Sequence, residues 1–463
     1  MIPTLSAEQI EKIHNTTLYV LEEKGIQVTH PDMQRIAQKH GAEIENDRIK
    51  IPRRLLDELL AAVPANFTVG DIAGRCSNVG DGSRHCHAIV TDPWIIDCPS
   101  GTPRRPIMDD VIRNTVLGQK LDKVVAMSCM DFPVADFSDK HSNLRALKQH
   151  LLHHNKHNFI YAAGEDSLLR WRKLIELYNS NSNCEASLFS MAVAVISPLI
   201  ISDFNIDIIL AACQYDVPII PTICPMAGTT SPYSLYGTLL QGNIENIGLA
   251  ALVQMVKPDQ PVFYMLGPSV TDLSNGNSLY YTIDKVCWKS AAIELAKSYR
   301  IPVVSESGGT MSSHFDQQNG MEGILFMLAS VISGADFVTG FGSCYNAVGM
   351  APEMTVIHDA WFDAVQFLQR KINFAQADMA LDSIMKIGEE QHFLADDLTL
   401  ENMHGQEFFK NDLFDFSGAK GKSVPMIDRA HDKVMELTAK KPVVLPDKLA
   451  EQIQRFFRDE YCI

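Results

Sequence analysis

Short apolar and β-branched runs recur along the chain, separated by longer stretches whose apolar positions follow a helical period. The runs are Val124–Met130, Phe159–Ala163, Leu188–Val195, Pro218–Ile223, Pro261–Leu266, Pro302–Ser305 and Phe337–Phe341. They stand roughly 30–40 residues apart, and the intervals hold helical patterns such as Gly248–Val256 and Ala291–Tyr299. Strand and helix alternating at this spacing predict βαβ units around a parallel sheet. With an eighth strand around His87–Asp92, the count predicts an α/β fold of the TIM (β/α)8 barrel type. A doubly wound open sheet is the second reading, weakened because no G-x-G-x-x-G follows the first strand.

The flanks read differently. Residues 1–106 predict a helical and strand extension packed on the barrel. Ser6 and Gln9 form a capping-box pattern, Ile10, Ile13, Val20 and Leu21 give an apolar stripe, and Gly25 is the stop. Two short helices are expected over residues 30–64. Residues 66–106 are strand- and turn-rich, with a hairpin turn at Cys98-Pro99-Ser100-Gly101. The barrel core is assigned to 107–375 and a C-terminal helical extension to 376–463. Helices are predicted from Pro352 to Arg370 and over Asp447–Tyr461.

At 463 residues and 46% hydrophobic, the chain can bury one large core with extensions. No apolar run is long enough to span a membrane. Met1-Ile2-Pro3-Thr4 lacks the basic start of a signal peptide. The ten cysteines are scattered, with no C-x-x-C, which fits a reduced cytoplasm better than a disulfide framework. A net charge of −16 argues against nucleic-acid binding.

Two glycine-marked turns stand where a barrel places its chemistry, between strand and helix. They are Pro225-Met226-Ala227-Gly228-Thr229-Thr230-Ser231-Pro232 and Glu306-Ser307-Gly308-Gly309-Thr310. Asp131 and Glu306 lie at predicted strand C-termini, where carboxylates are more often functional than structural. Cys224 also ends a strand and reads as packing. The last strand runs into Gly340-Phe341-Gly342-Ser343-Cys344-Tyr345, and His358 opens a helix that carries Trp361. Phe341, Tyr345, Tyr264 and Trp361 are the makings of an aromatic cage for a quaternary ammonium, against the plain alternative that they fill the core. His85-Cys86-His87 is metal-capable, but in a strand the two histidines share a face and the cysteine turns away. His150, His153, His154 and His157 have helical spacing, and a solvated helix end is the default reading. No metal site is assigned. Neither G-x-S-x-G nor G-x-x-x-x-G-K-[ST] occurs.

The run Cys224–Pro232 followed by Asn243-Ile244-Glu245 resembles a motif of the trimethylamine methyltransferase superfamily. So do Gly308-Gly309 with Asp316, Gln318, Gly320 and Glu322, and Ser100–Pro106 with Asp109-Asp110. His392-Phe393-Leu394 with Thr399-Leu400 resembles its C-terminal signature. Founding members carry pyrrolysine in the barrel and demethylate trimethylamine. No such residue follows this chain's last strand, so the likeness is to the non-pyrrolysine branch typified by glycine betaine methyltransferase. That likeness implies a TIM barrel and methyl transfer from a quaternary amine to the Co(I) of a separate corrinoid (cobalamin) protein. It implies no tightly bound cofactor of the chain's own. Glycine betaine, proline betaine, carnitine or a similar amine is the implied substrate.

On this reading a quaternary ammonium leaves as a neutral tertiary amine, so neither a proton donor nor a Lewis acid is required. The protein's tasks are to hold the methyl group in line and exclude water. Glu306, His358 and Asp131 are the expected catalytic residues. Phe341, Tyr345, Tyr264, Trp361 and Glu245 are expected to bind substrate. Gly228, Thr229, Gly308, Gly309 and Gly342 are expected to contact the corrinoid. A cytoplasmic homo-oligomer is expected, with no nucleic-acid or membrane partner. Two alternatives compete: a zinc-dependent corrinoid methyltransferase for a thiol or alcohol, and a non-catalytic betaine-binding barrel.

Overall fold

The computed structural model describes residues 5–98, 100–386, 392–405, 407–418, 421 and 423–463. Met1-Ile2-Pro3-Thr4 and Pro99 of the predicted turn lie outside the described residues. Eight parallel strands form one sheet. They are β1 (His85–Thr91), β2 (Val124–Cys129), β3 (His157–Ile160), β4 (Phe189–Val195), β5 (Ile219–Ile223), β6 (Tyr264–Met265), β7 (Val303–Glu306) and β8 (Phe337–Phe341). Their spatial order is β5-β4-β3-β2-β1-β8-β7-β6. A parallel bridge from Ile219 to Val262 brings β5 against the segment leading into β6 and nearly closes the ring. Each strand is followed by a helix: α1 (Met108–Lys120), α2 (Ser142–Leu152), α3 (Glu165–Asn179), α4 (Asp203–Gln214), α5 (Leu235–Val256), α6 (Asp284–Ser298), α7 (Gln317–Ser333) and α8 (Pro352–Leu368). This is a (β/α)8 barrel. Its first strand is the His85–Thr91 segment, upstream of the 106/107 boundary drawn from sequence.

Alternation along the strands sorts side chains into two cores. Phe159, Ile220, Phe263, Val304 and Phe337 point inward and meet Val69 and Val79. Those two valines belong to a hairpin, Phe67–Gly70 with Cys76–Val79, that plugs the N-terminal end of the barrel. The intervening residues point outward to the helices. Cys86 joins the outer core, as its alternation with His87 predicts.

The N-terminal capping box forms as read, with Ser6 and Gln9 satisfying each other's backbone N–H groups. The strands Trp94–Asp97 and Thr102–Arg104 pair antiparallel across the predicted hairpin turn. Arg104 then bridges Asp97 and Asp110, and Arg113 also reaches Asp110, which fastens this hairpin to α1. The C-terminal helix Asp447–Tyr461 matches its predicted span, and Met426–Thr438 lies against α8 and α1. No described helix is long and apolar enough to cross a membrane. All ten cysteines are free.

Candidate functional site at the barrel mouth

Glu306 is the last residue of β7, and its side chain is 11% exposed. Three groups converge on it. The Tyr280 hydroxyl donates to Oε1. Lys285 Nζ lies 3.0 Å and Lys289 Nζ 3.3 Å from Oε2. Lys289 also donates to the Glu306 carbonyl at 2.6 Å, as does the Ser330 hydroxyl at 2.6 Å. The two lysines are one turn apart on α6, so they share a face, and that face is turned onto β7. Both are essentially inaccessible. Tyr280 presents its ring to Lys285, whose ammonium sits 3.0 Å from the ring centroid.

The ionisation of this cluster follows from two opposed causes. Burial alone raises the Glu306 carboxyl; Lys285, Lys289 and Tyr280 outweigh it and hold the group down at about 2. Burial pushes Lys285 down to about 8, against the attraction of Glu306 and with the help of Lys289. Glu306 is therefore an anion at any physiological pH. Two ammonium groups against one carboxylate leave the cluster with one positive charge when Lys285 and Lys289 are both protonated.

A second carboxyl lies at the same end of the barrel. Asp92 directly follows β1, is 6% exposed, and is pushed up to about 8 by burial. Tyr161, just after β3, and Tyr281, just before α6, are both raised by burial first, and both also feel the charges of Glu306 and Asp92. Cys224, one residue beyond β5, is exposed, yet burial lifts its thiol to about 11, with Glu306 adding to the rise. A thiol that is accessible but surrounded by protein lies inside a cleft. Gly267 completes the rim beyond β6. A Cβ there would come 2.6 Å from the Tyr280 hydroxyl and 3.1 Å from Cys224 Sγ. Asn346, in a run of three residues with left-handed φ (Tyr345, Asn346, Ala347), accepts from Tyr280 N at 2.8 Å. It thereby fixes the tyrosine from the β8 side.

The structure distributes the sequence-derived candidates unevenly. Glu306 is at the mouth. Asp131 follows β2 and is partly accessible. It accepts from Asn143 Nδ2 at 2.5 Å and lies 3.6 Å from Arg170, so it ties its loop to α2 and α3. Glu245, on α5, is fully buried. It accepts from Ser197 Oγ at 2.7 Å, Leu199 N at 2.9 Å and Gln241 Nε2 at 2.7 Å, which clamps the loop after β4. Tyr264 points outward because its neighbour Phe263 points inward, and its hydroxyl donates to Asn243 Oδ1 at 3.0 Å. Phe341 is fully buried as well. The sheet register shifts between Val338 and Phe341 at Gly340, whose φ is 86°, and this bulge turns Phe341 toward His358 and Phe362. Trp361 packs against His358 and over Gly323 of α7. Tyr345 is half-buried at the edge of the same outer core. The predicted cage does not assemble: Phe341, Tyr264 and Trp361 lie in the layer between strands and helices.

His358 is completely buried, and burial pushes it down to about 3, so it is neutral. Its Nδ1 accepts from Gly342 N at 3.1 Å. Gly308 (φ 67°) and Gly309 (φ 89°) lie under side chains. A Cβ would fall 2.2 Å from His358 Cε1 in one case and 2.2 Å from Tyr281 Cζ in the other. Their glycine identity is thus required by local packing and backbone conformation. Gly342 is buried against Thr355 and Met350. Gly228 and Thr229 stay exposed on the rim, beside exposed Tyr233 and Leu273.

His150 and His154 depart from the solvated helix end expected for them. Both are buried, with ring centroids 4.2 Å apart. His87 lies inside the barrel, between Thr339 Oγ1 at 2.5 Å and Ser128 Oγ at 3.1 Å.

Sequence reading missed Tyr280, Tyr281, Lys285, Lys289, Asp92 and Tyr161. Lysines at a four-residue spacing on a helix normally read as a solvated face. The available signal was their setting among Val286, Trp288, Ala291 and Ala292, which makes α6 apolar on most sides.

Over residues 1–460 the chain matches the trimethylamine methyltransferase (MTTB) family model. The chain belongs to this family. Glycine betaine methyltransferase of Desulfitobacterium hafniense is 24% identical over 98% of this chain and 96% of its own. Proline betaine:corrinoid methyltransferase of Eubacterium limosum is 24% identical over 92% and 90%. Trimethylamine methyltransferase MttB of Methanosarcina barkeri is 24% identical over 84% and 81%. Among solved structures, the Methanosarcina barkeri monomethylamine methyltransferase MtmB superposes with a TM-score of 0.52 at 14% identity, covering 96% of this chain and 89% of its own. That likeness agrees with the barrel described above.

Proposed function

We propose that this MTTB-family barrel transfers a methyl group from a small betaine to the Co(I) of a separate corrinoid protein, releasing the tertiary amine. The observation that carries the reading is the pair of carboxyls at the mouth, Glu306 held ionised by two buried lysines and Asp92 without a charged partner among the described residues. A betaine carries a quaternary ammonium and a carboxylate. Glu306 is the accessible anion for the ammonium, and Asp92, once ionised, is a second. The net positive charge that Lys285 and Lys289 leave over favours the carboxylate end. A lone amine such as trimethylamine has no use for that excess. Relatives named for glycine betaine and proline betaine, aligned over nine-tenths or more of both chains, support the same choice.

The rim fits a bulky, partly apolar methyl acceptor. Gly228 and Thr229 are exposed there, and Tyr233 and Leu273 stand beside them without cover. Bound at the mouth, a Co(I) corrinoid supplies the nucleophile. This chain's residues bind and orient. Glu306 cannot take up a proton near neutrality, so its role is electrostatic. Lys285 and Lys289 keep it ionised, Tyr280 fixes its rotamer, and Asn346 fixes Tyr280. Tyr161 and Tyr281 keep their protons, because burial and both carboxyls disfavour the phenolates.

The test is spectroscopic. The purified chain is mixed with a competent corrinoid protein reduced to Co(I), and glycine betaine, proline betaine, carnitine, choline and trimethylamine are added singly. Formation of methyl-Co(III) with a betaine and not with trimethylamine is expected. Turnover of trimethylamine alone overturns the betaine assignment. Tight betaine binding with no methyl-Co(III) leaves a binding protein.

A further inference from the structure

Cys98, Glu353 and His431 come from three distant parts of the chain. Cys98 sits in the hairpin connection after Asp97, Glu353 in the first turn of α8, and His431 on the helix Met426–Thr438. Their sulfur, carboxylate oxygen and ring nitrogen all lie within 4.8 Å of one another. His431 Nδ1 and Glu353 Oε1 are 2.8 Å apart. We propose that these three side chains form a zinc-type metal site that fastens the helix Met426–Thr438 to the barrel's α8 and to the hairpin after β1.

The donor set is the first argument. One thiolate, one imidazole and one carboxylate are ligands that zinc accepts at about 2.3, 2.0–2.1 and 2.0–2.2 Å. Tetrahedral angles then put the donor atoms about 3.5 Å from one another, so the cluster closes around an ion with shifts of an ångström or so. Three protein ligands leave one position for water. Glu353 is buried, which fixes the carboxylate, while His431 is half-exposed and gives the ion a path from solvent.

The electrostatics are the second argument. Apart from burial, the charges felt by the Cys98 thiol are all negative: Glu353, Asp428 and Asp97. A thiol alone in such a place gains nothing. A divalent cation there gains three nearby carboxylates, and its binding releases the thiol proton to solvent. The His431–Glu353 contact accounts for two members of the cluster without a metal; it does not account for the thiol beside them. None of Glu306, Lys285, Lys289 and Tyr280 takes part, so the site is independent of the methyl-transfer reading.

The experiment uses the full chain stripped with chelator and titrated with Zn2+ and, separately, Co2+. Stoichiometric Zn2+ uptake is expected, with a rise in the unfolding midpoint. Co2+ is expected to give a thiolate-to-metal absorption band. Cys98→Ser removes the band and the midpoint shift, and His431→Ala removes stoichiometric uptake. The pair of exposed Cys76 and half-buried Cys184, 3.8 Å apart, is the control: Cys76→Ser with Cys184→Ser leaves both signals intact. The proposal is overturned if the native chain binds no stoichiometric metal, if the band survives Cys98→Ser, or if it is lost with the control pair.

Discussion

Two buried glutamates show how differently one fold can treat the same side chain. Glu245 is fully buried and accepts three hydrogen bonds, all from neutral donors: a serine, a glutamine and a backbone N–H. Burial wins, and its carboxyl is raised. Glu306 is slightly accessible and meets two ammonium groups and a tyrosine. The charges win, and its carboxyl is lowered to about 2. At Glu245 three neutral hydrogen bonds fall short of the cost of burial, whereas at Glu306 opposite charge exceeds it. Glu245 serves the shape of a loop, and Glu306 presents a permanent anion to the mouth.

The contrast is broken most sharply at Glu306. Glu306→Gln leaves two buried ammonium groups without their counter-charge, a loss of about 3–5 kcal/mol near neutral pH, read by urea denaturation. Methyl transfer falls with it. Adding Lys285→Met and Lys289→Met is expected to restore stability but not transfer. If the single variant is as stable as the native chain, the lysines are not held by this carboxylate.

Glu245 predicts a smaller and graded effect. Gln fits its three partners: the amide oxygen accepts from Leu199 and Gln241, and the amide nitrogen donates to Ser197. Glu245→Gln is therefore expected within about 0.5 kcal/mol of native, while Glu245→Ala, which strands a buried N–H, costs about 2 kcal/mol. Equal losses in the two variants would mean that the charge matters after all.

Asp92→Asn addresses the mouth itself. Betaine affinity is expected to weaken about tenfold, or 1.4 kcal/mol, measured by calorimetry above pH 8. In the native chain a cationic group favours ionised Asp92, so affinity rises as pH climbs through about 8. Lys285 loses its proton in the same range, with Glu306, Lys289, Tyr161 and Tyr281 facing the same space. The asparagine variant separates the two contributions, because only the lysine's remains.

The same opposition shows in the pH dependence of stability. A lowered carboxyl stabilises fully above its ordinary value of 4.5, and that stability is lost as pH falls toward about 2. A raised carboxyl does the reverse: Glu245's contribution is present below 4.5 and is lost as pH rises through its elevated value. Unfolding curves from pH 2 to 8 should lose part of their acid limb in Glu306→Gln and part of their neutral-side decline in Glu245→Gln. Parallel curves for both variants would refute the opposition.

The repeat of apolar runs was enough to specify βαβ units, because parallel strands buried on both faces carry continuous apolar residues and each needs a crossover helix; the strand count favoured a barrel over an open sheet, and the ring itself is a tertiary fact. It also placed Glu306 at a strand end. Which face a residue takes was decided elsewhere. Tyr264 follows from alternation once its register is known. Phe341 follows from a bulge at Gly340 that no local pattern announces. Lys285 and Lys289 look like surface until α6 is docked on β7, and Asp92 looks like a turn residue until β1 joins the ring beside β8. Cys98 stands more than 250 residues before Glu353, and His431 lies 78 residues beyond it; the three meet only when the helix Met426–Thr438 lies on α8. Local sequence sets periodicity and turn chemistry because those depend on near neighbours along the chain. The ionisation of a carboxyl depends on desolvation and on charges brought from other elements, and only the tertiary structure supplies both.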